Sequence, residues 1–182
     1  MRIPLFFIII LVITPLMFSC SKPDLARYQD ETPVFNLFDY FEGDTTGWGM
    51  VQDRSGNLIR RFVVRIDGTF DPENNLILEE YFDWSDGEKS TRVWTIKKSG
   101  DNTFTGTADD VVGKAVGSAY GNVLNWQYHL NIEVDGRTWK VHLDDWLYLQ
   151  QDNVLINKTK MSKFGIRLGD ITIVFRKDTE RG

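Results

Sequence analysis

The stretch LNWQYHLNIEVDGRTWKVHLDDWLYL, residues 124–149, decides the fold. Its even positions are Leu124, Trp126, Tyr128, Leu130, Ile132 and Val134, with Asn125, Gln127, His129, Asn131 and Glu133 between them. Such alternation marks a strand with one buried and one solvated face. Asp135-Gly136 is a two-residue hairpin signal. Beyond it the apolar parity becomes odd, through Trp139, Val141, Leu143, Leu147 and Leu149. If Val134 pairs with Arg137, then Ile132 faces Trp139, Leu130 faces Val141 and Tyr128 faces Leu143, and the two apolar faces coincide. Strands this long are unusual in a sandwich and natural in a coiled, closed barrel.

Outside this hairpin, Arg60–Asp67, Leu76–Trp84, Ser90–Lys98 and Ile166–Lys177 alternate or are rich in Val, Ile, Thr and aromatics. Ser55-Gly56, Asp67-Gly68, Asp86-Gly87 and Gly100-Asp101 punctuate them, a spacing that predicts about nine antiparallel strands in succession. Val34, Leu37, Phe38 and Phe41 recur as one face of a short helix that stops at Gly43. The expected fold is all-β: one antiparallel barrel over residues 34–182 with a short N-terminal helix. A barrel of that kind is filled by its own side chains or holds one small ligand. A length of 182 residues fits a single domain, and 42% hydrophobic residues exclude a disordered chain. A net charge of −5 without a basic cluster argues against a nucleic-acid partner.

The N-terminus is an address. Met1-Arg2 gives a short positive end and Ile3–Phe18 is apolar apart from Thr14, the layout of a secretory signal. The run is broken by Pro4 and Pro15 and is short for a membrane-spanning helix. It ends at Ser19-Cys20, and Cys20 is the one cysteine of the chain. Leu16-Met17-Phe18-Ser19-Cys20 resembles the bacterial lipobox, with Met17 where leucine is usual. That resemblance implies a signal peptide at 1–19, acylation of Cys20, and a lipidated polar linker over 20–33. Acyl chains contribute about 0.8 kcal/mol per buried CH₂, so two or more hold a protein stably at a bilayer. Cleavage removes Arg2 and no acid, taking the net charge from −5 to −6. An acidic body is repelled by anionic lipid, so membrane attachment falls to the anchor. Ser21, rather than Asp, follows the cysteine, which points to the outer membrane's periplasmic leaflet.

Several residues are candidates for chemistry. Asp145 shares the inward parity of Leu143 and Leu147 and, by the hairpin register, faces Trp126. Glu80 sits inward between Leu78 and Phe82. Arg60 and Arg92 share parity with Phe62 and Trp94. Inward charges must be paired or shifted in pKa. They are internal ion pairs, groups at the barrel mouths, or the polar fixing points of a cavity. Asp145, Glu80 and Asp110 are the candidate acids or bases, without any catalytic assignment. From Gly113 to Gly121 every odd position is Gly or Ala, a bare strand face that Trp rings fill or a ligand enters. Gly113, Gly117, Gly121 and Trp126 therefore join Arg60, Glu80, Arg92 and Asp145 as candidate ligand contacts. His129 and His142 face each other on the polar side. A transition-metal site there lacks a third ligand, so neither metal nor cofactor is expected.

The segments Gly47-Trp48-Gly49, Glu79-Glu80-Tyr81-Phe82, Arg92-Val93-Trp94, Gly106 through Gly113, Asp144 through Tyr148 and Met161 through Gly165 resemble, in that order, a proteobacterial lipoprotein family without assigned function. The resemblance spans nearly all of the mature chain and implies no catalytic or ligand residues. The chain is also similar to lipocalin-like (calycin-type) barrels, with a short helix, Trp48 in the first strand and Arg176 near the end of the last. In lipocalins that arginine packs over the tryptophan to close the barrel base, although here Thr46 breaks the Gly-x-Trp spacing. The expectation is a monomeric, lipid-anchored envelope protein that binds an apolar or lipid-like molecule. A lipid-acting enzyme and a ligand-free structural lipoprotein are the alternatives.

Overall fold

Ten strands, each hydrogen-bonded to its sequence neighbours, form one antiparallel meander that closes on itself. A computed structural model describes residues 24–134 and 136–177. The expected leader 1–19, Cys20 and residues 21–23 lie outside the described residues. The strands are β1 Gly43–Asp53, β2 Leu58–Phe70, β3 Leu76–Trp84, β4 Lys89–Lys98 and β5 Thr103–Thr107, followed by β6 Ala115–Tyr120, β7 Val123–Val134, β8 Arg137–Leu149, β9 Val154–Lys163 and β10 Ile166–Lys177. Closure comes from β1 pairing with β10, where Trp48 stands opposite Val174. The fold is an all-β closed antiparallel barrel, as the alternation predicts, and it is lipocalin-like in architecture, as the resemblance implies. The β7–β8 register matches the expected one pair for pair, including Trp126 with Asp145 and His129 with His142.

One expected turn is instead strand. Asp67-Gly68 lies inside β2, paired with β1 and β3, and the chain reverses later, where Asn74 adopts φ 64°. Gly68 serves close approach, because a Cβ there would overlap the carbonyl oxygen of Phe41. Phe41 ends the one α-helix among the described residues, α1 Leu37–Phe41, whose N-terminus Asn36 caps by accepting from the Phe38 amide at 3.1 Å. Val34, expected on the helix face, is 70% exposed and precedes the helix; Phe35 is buried in its place. The α1 side chains stop one end of the barrel: Phe41 meets Phe175 edge-on at 5.7 Å, and Phe38 stacks on Phe70 and Phe104 at 6.0 Å.

Part of the expected 20–33 linker is packed rather than free. Leu25–Tyr28 forms a 3₁₀ turn capped by Asp24. The Tyr28 ring meets Tyr148 at 6.3 Å, and the Phe35 amide donates to the Gly121 carbonyl at 2.7 Å. The described structure thus includes about ten residues before the expected boundary at 34.

Trp48 and Arg176 do not close the barrel from within. Both lie on its outer face, Trp48 being 50% exposed, because the inward positions of β1 are Thr45, Gly47 and Gly49. The Phe175 and Phe62 rings occupy the space over those glycines.

Candidate functional site

A cavity of about 270 Å³ lies inside the barrel, running from Phe41 and Phe175 at the α1 end to Trp84 and Ser90 at the other. Even positions of β2, β3, β4 and β7 and odd positions of β8, β9 and β10 line it, joined by Thr91 of β4. The walls are mainly apolar. Phe62, Val64, Leu78, Trp94, Leu130 and Leu143 are each at most 6% exposed. At about 25 cal/mol per Å² of apolar surface removed from water, such a wall favours an apolar guest.

The bare face foreseen between Gly113 and Gly121 is not empty. Gly117 pairs with Trp126 across β6 and β7, and a Cβ on Gly117 would overlap the Trp126 ring. The indole also covers Gly106 on β5. Gly113, at φ 78°, lies outside the strand in a connection, and Gly121, at φ 52°, turns between β6 and β7 against the Tyr28 carbonyl. None of Gly113, Gly117 and Gly121 lines the cavity, whereas Trp126 does.

Polar groups gather midway along the wall. Glu80 on β3 and Arg92 on β4 are register partners, with Arg92 Nη1 3.7 Å from Glu80 Oε2. Arg92 holds Asp110 through both carboxylate oxygens, with Nε donating at 3.1 and 3.0 Å and Nη2 at 2.7 Å. Asp110 belongs to no strand. Its connection is stitched to β7 by an isolated bridge between Val111 and Leu130 and by the Asn131 amide donating to the Asp110 carbonyl at 3.0 Å. That stitching holds the carboxylate over the barrel interior. Asp145 on β8 is 6% exposed and accepts from the hydroxyls of Thr159 and Tyr128. Tyr128, Thr159 and the buried Asn157 are members that sequence reasoning did not single out. For Thr159 and Asn157 the signal was available, since both share the inward parity of Leu155 on β9.

Burial dominates the electrostatics. It pushes Glu80 up to about 7, against the pull of the Arg92 charge and with the added repulsion of Asp110 and Asp145. It pushes Asp145 up to about 7 against the Thr159 and Tyr128 hydrogen bonds and the Arg92 charge. The Tyr128 hydroxyl is raised by burial and by the Asp145 charge. Burial works against the Arg92 charge, but Glu80, Tyr128 and Asp110 together hold its pKa above the ordinary value.

Arg60 stands apart. It shares the inward parity, yet it lies at the rim, with its guanidinium 4.0 Å from the Trp84 ring centroid and paired to Asp86 at 2.8 Å and Glu88 at 3.0 Å. His129 and His142 face each other outside the barrel with ring centroids 5.0 Å apart. Burial lowers the His129 pKa, as does the His142 charge. Among the described residues no three His, Cys, Asp or Glu side chains are grouped to hold a metal, and no helix is long and apolar enough to cross a membrane.

A family model described as a protein of unknown function, DUF3833, matches residues 14–177. The chain belongs to the DUF3833 family. No curated protein sequence gives a significant match. The DUF3833 barrel is similar to the solved structure of an S-type phycobiliprotein lyase from Guillardia theta, with a TM-score of 0.58 and 11% identity over 87% of this chain and 100% of that one. At that identity the likeness is one of fold.

Proposed function

We propose that this DUF3833 chain is a monomeric, lipid-anchored protein of the bacterial envelope that binds an apolar or lipid-like small molecule inside its barrel. The observation that carries the binding function is the cavity of about 270 Å³, apolar along its walls and polar at its middle. The anchor rests on the lipobox-like sequence ending at Cys20 and the polar segment that follows it. Acylated Cys20 holds the protein on the periplasmic leaflet of the outer membrane, in a proteobacterial cell. Pairing runs from strand to strand around the barrel, which removes the two outer edges that an open sheet would offer a second copy, in keeping with a monomer.

Two measurements test this. Nile red, a neutral dye that brightens in apolar surroundings, should gain emission with residues 21–182, which contain the whole barrel, and a cell extract should load the protein with a small molecule seen by native mass spectrometry. No gain and no bound mass refute binding. In cells, Cys20→Ser should abolish incorporation of an alkyne fatty acid and move the protein out of the membrane fraction. Unchanged fractionation refutes the anchor.

A second reading, acid–base chemistry on a bound lipid, is favoured by one observation: Glu80 and Asp145 are both held at about 7, where a carboxyl gives and takes protons at neutral pH. Turnover that Asp145→Asn abolishes while binding persists would establish it.

A further inference from the structure

Three buried oxygens along the cavity wall lack a hydrogen bond, although one of them, Glu80 Oε2, lies 3.7 Å from Arg92 Nη1. Glu80 Oε2, Asp145 Oδ1 and Asn157 Oδ1 are buried and accept no hydrogen bond, and all three residues line the cavity. Each of these atoms is an acceptor. Asp145 and Asn157 are 6% exposed, so bulk water does not serve them, and an unmet buried acceptor costs about 1–3 kcal/mol.

The charges point the same way. The carboxyls on the wall belong to Glu80, Asp110 and Asp145, while the one cation among the described lining residues is Arg92. Arg92 already donates to both oxygens of Asp110 and is ion-paired to Glu80. Arg60 at the rim is likewise held by Asp86 and Glu88. A carboxylate or phosphate head entering this cavity meets three carboxyls and a single cation that is already ion-paired, among the described lining residues. A hydroxyl head brings one donor and adds acceptors of its own, whereas an ammonium brings three donors and no acceptor.

We propose that the cavity's ligand is an amphiphile with a primary ammonium head, its chain on the apolar wall and its nitrogen donating to Glu80 Oε2 and Asp145 Oδ1. This rests on the binding function proposed above and specifies its ligand class. The volume of about 270 Å³ equals on the order of nine waters at roughly 30 Å³ each. That admits a head and one medium-length chain, not a two-tailed lipid.

Protonation supplies an independent handle. Acting on Glu80 are Arg92 and the Trp94 indole from β4, Asp110 from the β5–β6 connection and Asp145 from β8; acting on Asp145 are Thr159 from β9, Tyr128 from β7, Arg92, the adjacent Asp144 and, reciprocally, Glu80. Both carboxyls ionise on going up through about 7. An alkylamine stays charged throughout, so its affinity rises with pH, while that of a fatty acid falls.

The test displaces Nile red from residues 21–182 with decylamine, decanol and decanoate, which share one chain length. At about pH 8, decylamine should act at a concentration about tenfold or more below that of the other two. Its advantage should shrink about tenfold at about pH 5.5, and Asp145→Asn and Glu80→Gln should each abolish the pH effect in part. Either variant suffices if the other does not fold, as judged by its tryptophan emission. Decanoate or decanol equal to or better than decylamine overturns the ammonium head and leaves the apolar cavity standing. Dye that binds but is displaced by none of the three also overturns it. Dye that never binds removes the underlying function itself.

Discussion

Replacing Asp145 by Asn should stabilise the protein at alkaline pH, although it removes a hydrogen-bonded group from the centre of the barrel. Burial raises the Asp145 pKa from 3.8 to about 7. Between those values the folded state binds a proton that the unfolded chain has lost, so stability falls as pH rises through this window and levels off above the folded pKa. At 1.36 kcal/mol per pKa unit, about three units correspond to about 4 kcal/mol. The mutual repulsion with Glu80 is shared between the two groups, which leaves about 2–4 kcal/mol for either one. Asparagine keeps the shape and cannot ionise. Urea unfolding of residues 21–182, followed by tryptophan emission, should therefore place Asp145→Asn about 2–3 kcal/mol above wild type at about pH 8, after the loss of some hydrogen-bond energy. Near pH 4 the two proteins should be equal, or the variant slightly weaker. A variant less stable than wild type at alkaline pH, or one whose stability retains the full wild-type slope between these values, would refute burial as the dominant influence on this carboxyl.

Other perturbations separate the parts of the interior. Arg92→Leu leaves Glu80 and Asp110 without their cation and should cost about 3–5 kcal/mol at neutral pH, with the loss easing in acid as Glu80 takes up a proton; equal loss at both pH values in chemical unfolding would deny the ion pair. Gly117→Val drives a branched side chain into the Trp126 ring and should lower stability by about 1–3 kcal/mol, visible as a lower melting temperature and a shifted tryptophan emission, and a neutral outcome would mean that the ring does not rest there. Phe41→Ala removes the ring that stops the α1 end and should cost about 3–5 kcal/mol while speeding Nile red release in stopped-flow measurements; unchanged release would show that ligands do not pass that way.

The hairpin from Leu124 to Leu149 was legible to the residue because its parity is nearly strict and its turn is short, so one register satisfies both faces. Asp145 was legible for the same reason: a carboxylate at an apolar position of an unambiguous strand must face inward. Asp110 was legible only as a candidate. Its partnership with Arg92 depends on a connection stitched to β7, and no periodicity reports that. The glycines show the limits of composition. Asp67-Gly68 has the form of a turn, yet Gly68 lies flat in β2 because the Phe41 carbonyl comes against it. The alternation from Gly113 to Gly121 combines a connection, a seat for the Trp126 indole and a turn against Tyr28. Small size is needed at each for a different reason, and the sequence prints them alike. Trp48 fits a lipocalin pattern in the sequence, but the glycines on either side of it take the inward positions and turn it out.

The seam between β1 and β10 carries a consequence for biosynthesis. Gly43–Asp53 is complete early in synthesis, but one of its edges stays unsatisfied until Ile166–Lys177 has been made and delivered. Throughout that interval the nascent protein exposes an open strand edge, the kind of surface that recruits other chains. Hairpins join strands that are neighbours in sequence, whereas the closing contact joins the first strand of the barrel to the last and is reached late. The twelve residues of β10 therefore act as a clasp. Shortening the chain by even part of β10 should produce an aggregating sheet rather than a slightly smaller barrel.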